Sequence, residues 1–577
     1  MAATNKRRLS RRAFLSVGAT AVCGTGAALV FGCDGGGPSA TQAPSSTGAG
    51  GARPRSGGQM TIGRLLPLPV LSLDPHLDDA AQDITELMYS RLYRWDETNQ
   101  SAIFNDLATA VEIPDPDHTQ FIFTLRPGVK IHSIPGNPAS GGEITSEDCK
   151  QSFIRRGTSI TASDKRLALA IAGTNHPDPT AIGAALQTPD PHTFSFRLSR
   201  PLAGAMRQMA QLQWAIVPAT VIDLYAQDTE SAGLTDGAYG SGPFMLAHSV
   251  VGDRIVLLRH PYYFLNPRPW LEQIVFKVEP DREGLLSGLR SGRYDAVSPA
   301  ISNDEYVKLK DDDRLIATRS PAGFYPCLQL KMQAPFTDMR VRQAIDLALH
   351  RDNFVDSLWH GEAEYNGPVP WAIGFWALPQ DEVRNSYPHD PARARSLLEE
   401  AGYADGFQAG MKFPKWTSNV MFDVSKAASL IASNLNEIGV TVRLEGVELG
   451  SFIANTILPG DFEMAFFPNI SDGDPDRALA LYTTQGTTGV GNWTGYTSPE
   501  VDALVEAQAR EFDEQRRRET IYEAQRLMIK EHGPQITLPS GYEYDVHASR
   551  VHYPYEIGVA PPSGTGPWGA DIWTDAV

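Results

Sequence analysis

Apolar and polar positions alternate with period two in Phe121-Ile122-Phe123-Thr124-Leu125-Arg126 and in Thr193-Phe194-Ser195-Phe196-Arg197-Leu198, the pattern of half-buried strands. Pro127-Gly128 makes a turn, and Val129-Lys130-Ile131-His132 is expected to return as a second strand. Residues 82–93 place Ile84, Leu87 and Met88 on one helical face, and Thr145 with Asp148 has the spacing of a capping box opening a helix through Cys149, Phe153 and Ile154. Strands with short helices between them predict an α/β subdomain over about 94–238. Residues 254–259, 274–278 and 294–297 read as strands around a helix at 283–290, an order that implies parallel pairing with crossovers.

The second half is more helical. Val341, Ile345, Ala348 and Leu349 share one face; Asp390-Pro391 opens a helix carrying Leu397 and Leu398 that Gly402 stops. Leu430, Ile431, Leu435 and Ile438 line a helix ended by Gly439, and Ser498-Pro499 opens one with Val501, Leu504, Val505 and Phe512 on one side. The pattern predicts lobe 1 over 59–319, lobe 2 over 320–531, and a tail, 532–577, that returns to lobe 1.

The first 58 residues follow neither period. Lys6, Arg7, Arg8, Arg11 and Arg12 precede an apolar Gly/Ala/Thr-rich run over 17–31, the order of parts in an export signal. About 15 residues make roughly 22 Å of helix, short of a hydrocarbon core of about 30 Å. Ser10-Arg11-Arg12-Ala13-Phe14-Leu15 resembles the twin-arginine export motif, with Arg11 and Arg12 as its signal pair. Val30-Phe31-Gly32-Cys33 resembles a lipobox with Cys33 as the lipidation site, although Phe31 is bulkier than usual there. The alternative is a plain secretory signal containing a cysteine. Residues 34–58 are almost wholly Gly, Ser, Pro, Ala and Thr, too poor in apolar surface to fold. As a tether they span about 25–30 Å.

Composition narrows the partners. The formal charge is −18, and losing the leader removes five more positive charges. Such a surface repels nucleic acid and anionic lipid and slightly favours neutral or cationic ligands. Of four cysteines, Cys23 lies in the leader and Cys33 is the lipid site, while Cys149 and Cys327 are expected to be unpaired core residues.

Leu73-Asp74-Pro75, the stretch from Phe123 to His132 leading to Thr145-Ser146-Glu147-Asp148, and Gly240-Ser241-Gly242-Pro243-Phe244 together resemble the bacterial extracellular solute-binding proteins of family 5, the oligopeptide/dipeptide/nickel type. Val341-Arg342-Gln343-Ala344, Asp390-Pro391-Ala392-Arg393-Ala394 and Tyr496-Thr497-Ser498-Pro499-Glu500 fit the same pattern. The resemblance implies a two-lobed α/β fold of the periplasmic-binding-protein type (type II, cluster C), with a hinge and an extra subdomain in lobe 1. It implies a monomer without catalytic residues, cofactor or bound metal, which closes on a peptide or other small solute and delivers it to the permease of an ABC importer.

Peptide-binding members place an Asp against the ligand's amino terminus, in a stretch like Asp-x-x-Asp-Pro. Here that position falls on Ser471, and the nearest carboxylate is Asp472, with Asp474 two residues on. Trp493, next to Asn492 in a Gly-rich loop, Trp371 after Pro370, Trp416, and Asp74 complete the candidate ligand-binding set, since flat rings contact many ligands without requiring one hydrogen-bond pattern. Rival readings are a sensing partner of a membrane receptor, a twin-arginine-exported enzyme, and a carrier of nickel or haem. For the enzyme the chain has no Cys-x-x-Cys, His-Glu-x-x-His, Gly-x-Ser-x-Gly or phosphate-loop motif.

Overall fold

The computed structural model describes residues 53–65, 73–76, 81–96, 99–133, 140–159, 166–174, 178–226, 239–298, 301–415, 422–470, 473–484, 491–553 and 569–575. Two main sheets define two lobes. The first has seven strands in the order Leu315–Pro321, Tyr542–Ala548, Ala296–Ser298, Gln59–Arg64, Gln273–Val278, Arg254–Arg259 and Phe244–Val250. Only its centre is parallel, where Gln59–Arg64 pairs with Gln273–Val278 on one side and Ala296–Ser298 on the other. The strands from Phe244 to Val278 form an antiparallel meander, so the crossover expectation fails there. The reason is that, among the described residues, no helix lies between Arg259 and Gln273 to carry the chain over the sheet; where one does, Arg282–Arg290, the flanking strands Gln273–Val278 and Ala296–Ser298 run parallel as expected.

The subdomain on this lobe is a four-stranded antiparallel sheet, Ala108–Glu112, Gln120–Leu125, Thr193–Arg197 and Leu186–Asp190. Its inward positions are Phe121, Phe123, Phe194 and Phe196, whose rings pack with Phe153 of the helix Ser146–Thr158. Burying each such ring contributes roughly 1.5–3 kcal/mol. Asp148 accepts the Thr145 N–H at 2.7 Å and so caps that helix. The expected strand over 129–132 is absent. Lys130 makes only an isolated bridge to Glu143, carried by the Ile131 N–H on the Gly142 carbonyl and the Ile144 N–H on the Val129 carbonyl, because the next residue, His132, is taken up elsewhere. The His132 N–H bonds the Gly240 carbonyl at 2.9 Å, and its ring lies 3.0 Å from that of Gly242. This turn is pressed onto the end of the helix Gln82–Met88: a Cβ on Gly242 would lie 2.5 Å from the Met88 carbonyl carbon, so only glycine fits.

The second sheet has the order Val440–Glu448, Phe407–Lys415, Met464–Ile470, Phe324–Leu330, Gln535–Thr537. Because Gln535–Thr537 still belongs to it, the chain recrosses to lobe 1 after Thr537 rather than at 532. Asp390 accepts the Arg393 N–H to start the helix Pro391–Glu400, and Asp423 does the same for Val424–Glu437, which buries Ala427, Ile431 and Leu435 against the sheet. The helix Pro499–Ala509 ends before Phe512, which instead stacks on His118 of the subdomain at 4.1 Å. Cys149 and Cys327 are buried free thiols. Among the described residues no helix is long and apolar enough to cross a membrane.

Candidate ligand cleft at the hinge

Two strands of the first sheet, Leu315–Pro321 and Tyr542–Ala548, pair antiparallel over seven positions, and both chain crossings start at their shared end. From Pro321 the chain runs through Gly323 into Phe324–Leu330, and from Thr537 it comes back through Ser540 into Tyr542. The register fixes what meets there. Leu315–Pro321 runs in the same direction as Gln59–Arg64 and Ala296–Ser298, so the carboxyl ends of the first lobe's parallel strands lie at the crossing. In the second lobe Phe324 opposes Ile470, so the parallel strands Met464–Ile470 and Phe407–Lys415 also end there. Carboxyl ends of parallel strands are where open α/β sheets bind ligands, and here two such edges share one hinge.

Trp416 directly follows Phe407–Lys415, and Ser471 and Asp472 directly follow Met464–Ile470. These three, with Cys33, Arg11 and Arg12, lie outside the described residues. Trp371 is half-buried at the crossing: its indole N–H donates to Ser540 Oγ and O, both at 3.0 Å, and its ring meets Tyr542 edge-on. Trp493 packs partly buried between two apolar clusters of lobe 2.

Three other candidates are committed to internal partners. Asn492 donates to the carbonyls of Thr483 and Tyr496 and accepts from Thr494 Oγ1 and the Gly495 N–H, which uses its whole amide. Asp74 receives Arg155 and the His76 N–H; burial opposes its charge, but these partners hold its carboxyl below the ordinary range. Asp474 caps the helix Pro475–Ala480 by accepting the Asp476 N–H at 3.0 Å, and Arg517 grips both its oxygens at 3.1 and 3.2 Å.

Sequence reasoning missed Glu543 and Asp545. They project from one face of Tyr542–Ala548 while Tyr544 and Val546 fill the opposite face against an apolar cluster. Glu543 accepts the Gly323 N–H at 3.2 Å, and among the described residues no cation bonds either carboxylate. The segments outside the described set after residue 53 carry one lysine, Lys165, one histidine, His176, and no arginine. Burial, with Asp545 nearby, pushes the Glu543 carboxyl up to about 7, and burial pushes Asp545 up to about 6. The signal was the Glu-x-Asp-x-His alternation at 543–547, polar residues at strand period in a segment that folds inside the protein.

The model of the bacterial extracellular solute-binding proteins, family 5 (middle), matches residues 102–492, more than half of the chain. The chain belongs to this family. The chain is similar to the probable D,D-dipeptide-binding periplasmic protein DdpA of Escherichia coli K12, 25% identical over 470 residues, which cover 79% of this chain and 84% of DdpA. The glutathione-binding protein GsiB of Salmonella typhimurium is 25% identical over 471 residues, 80% and 85% of the two chains. Among solved structures, the Helicobacter pylori DppA complex with the peptide STSA superposes with a TM-score of 0.74 at 23% identity, covering 90% of this chain and 99% of that one. AgaA of A. tumefaciens with agropinic acid reaches 0.73 at 20% identity over 90% and 99%. The family 5 fold thus accounts for the two sheets and the paired hinge strands.

Proposed function

We propose that the protein is the extracytoplasmic, lipid-anchored binding subunit of an ABC importer, which captures a small polar solute, a short peptide first among them, and presents it to the membrane permease. The observation that carries this reading is the meeting of two carboxyl-end sheet edges at one pair of hinge strands in a family 5 chain. A ligand held there contacts both lobes, so its binding energy selects the closed state. Relatives named for dipeptides, glutathione and an opine-type acid define the first compounds to try. Asp472, Ser471, Trp416, Trp371 and Trp493 are the residues proposed to touch the ligand.

A thermal-shift screen of the mature chain against dipeptides, tripeptides, glutathione and opines tests it, since a ligand at a hundredfold excess over Kd raises stability by about 2.7 kcal/mol. A concentration-dependent rise in Tm for one class is the expected result; no shift with any of them overturns the solute class. The anchor has its own test. Cys33→Ser should free a folded protein from the membrane fraction, and membrane retention of a normally cleaved mutant would refute lipidation.

A further inference from the structure

The acids after the candidate ligand loop meet arginines from the other lobe. Arg166 opens the helix Arg166–Ala172 and Arg207 lies in Ala205–Met209, both in the lobe 1 subdomain. Arg166 stands 3.6 Å from Asp476 Oδ2, and Arg207 Nε stands 3.9 Å from Asp474 Oδ2. Arg207 also donates to Glu514 at 2.7 Å, and its guanidinium faces the Trp376 ring, which Arg517 covers too. Within lobe 2, Arg517 already holds Asp474 and Asp476 at 2.9 to 3.2 Å, and Gln508 donates to Asp476 at 2.7 Å. The Ala203 N–H bonds the Ala509 carbonyl at 2.7 Å beside them. Three arginines thus face three acids, and all but Glu514 are buried.

We propose that this cluster is a closing latch, in which Arg166 and Arg207 of the subdomain engage the Asp474–Asp476–Arg517 group and Glu514 of lobe 2 to set the open–closed balance. The argument lies in the lengths. Contacts inside lobe 2 have hydrogen-bond length, whereas the two crossing contacts to the aspartates are a few tenths of an ångström too long, so slight further closure would complete them. Opening would move the five buried charges toward water, and the hydration regained offsets much of what pairing gives to closure. A device so balanced shifts with small changes. It gives the subdomain a task away from the ligand, and since apparent affinity scales with the closed fraction, the latch tunes affinity without touching the solute.

Single-molecule energy transfer on the empty mature chain carrying Cys33→Ser tests this, with dyes on Glu112→Cys and Glu399→Cys; native Cys149 and Cys327 are buried and stay unlabelled. The wild type should show a closed population. Arg207→Gln should raise the open-to-closed ratio about tenfold and Glu514→Gln, whose own side chain is more than half exposed, about threefold. The double variant should do no more than Arg207→Gln alone, because both remove one contact. Glu514→Gln leaves the buried charges intact and keeps the test valid if Arg207→Gln unfolds. An empty wild type without a closed population, an unchanged ratio in Glu514→Gln, or additive effects in the double variant would overturn the latch.

Discussion

Asp474 and Asp476 at the start of one lobe 2 helix share three arginines, whereas Glu543 and Asp545 on the returning hinge strand share none among the described residues. Both pairs lie within a few residues of the crossing between lobes. The first pair faces guanidinium groups at 2.9 to 3.9 Å; the second is pushed toward the neutral form by burial, to which the Asp545 charge adds at Glu543. Acids that the fold has matched serve the fold and its closure. Unmatched acids at a hinge cost stability when ionised, and they are kept where a solute or a solvent-filled cleft can meet them.

The largest effect should come from breaking the matched pair. Arg517→Ala leaves two buried carboxylates with only distant arginines, and should lower the unfolding free energy by about 3–5 kcal/mol, read by urea denaturation. Arg517→Lys keeps the charge but loses the fork that spans both acids, so it should recover only part of that. A loss below about 1 kcal/mol in Arg517→Ala would mean that the lobe 2 group does not hold its helix in place.

Next in size is Asp472→Asn. If the solute carries an ammonium group, removing this charge should weaken it by about ten- to a hundredfold, or roughly 1.5–3 kcal/mol, and leave the Tm of the empty protein almost unchanged. Calorimetric titration with the best compound of the screen reads it. Unchanged affinity would shift the charge recognition to Glu543 and Asp545, or to none.

For Glu543 the sign follows from the direction of its shift. Its carboxyl rises from 4.5 to about 7 on folding, so the stability it contributes is full below the unfolded value and fades as pH rises from about 4.5 through 7. Glu543→Gln removes that loss. The variant should be about 1–2 kcal/mol more stable than wild type at pH 8 and indistinguishable from it at pH 4, by chemical denaturation at both. Buried His132 and His260 act in the opposite sense: burial lowers them to about 3 and 4, so their stability is full above 6.5 and is lost as pH falls toward those values. Substituting Glu543 therefore has to be compared at fixed pH.

Much of the fold was legible because its determinants are local. Thr145 with Asp148, Asp390 before Pro391 and Ser498 before Pro499 each specify a helix start within four residues, and each cap is present. The alternation at 121–125 and 193–197 suffices for strands because one face is wholly apolar, Phe121, Phe123 and Leu125 on the first and Phe194 and Phe196 on the second. What failed depends on distant partners. Val129-Lys130-Ile131-His132 looks like a strand until His132 meets the Gly240–Gly242 turn, more than a hundred residues away, and Asp474 before Pro475 reads as a helix start, as it is, but nothing local announces Arg517 from another helix. At the hinge, period two at 543–547 was visible, but which face the sheet would enclose was not.

The smallest expected effect separates the two variables that the comparison confounds. Asp474 and Asp476 are both paired and buried, so their behaviour alone does not say which property matters. Glu506 and Arg510 supply the missing case: they form an i,i+4 pair on the helix beside the latch, with about half of each side chain exposed. Water screens the charges, and holding two long side chains together costs rotamer entropy, so such a pair contributes about 0.3–0.5 kcal/mol. Glu506→Gln should therefore lower stability by no more than about 0.5 kcal/mol and leave the open-to-closed ratio of the lobes unchanged. If that variant instead lost 2 kcal/mol or more, pairing without burial would be sufficient, and the contrast between latch and hinge would reduce to the presence of a partner.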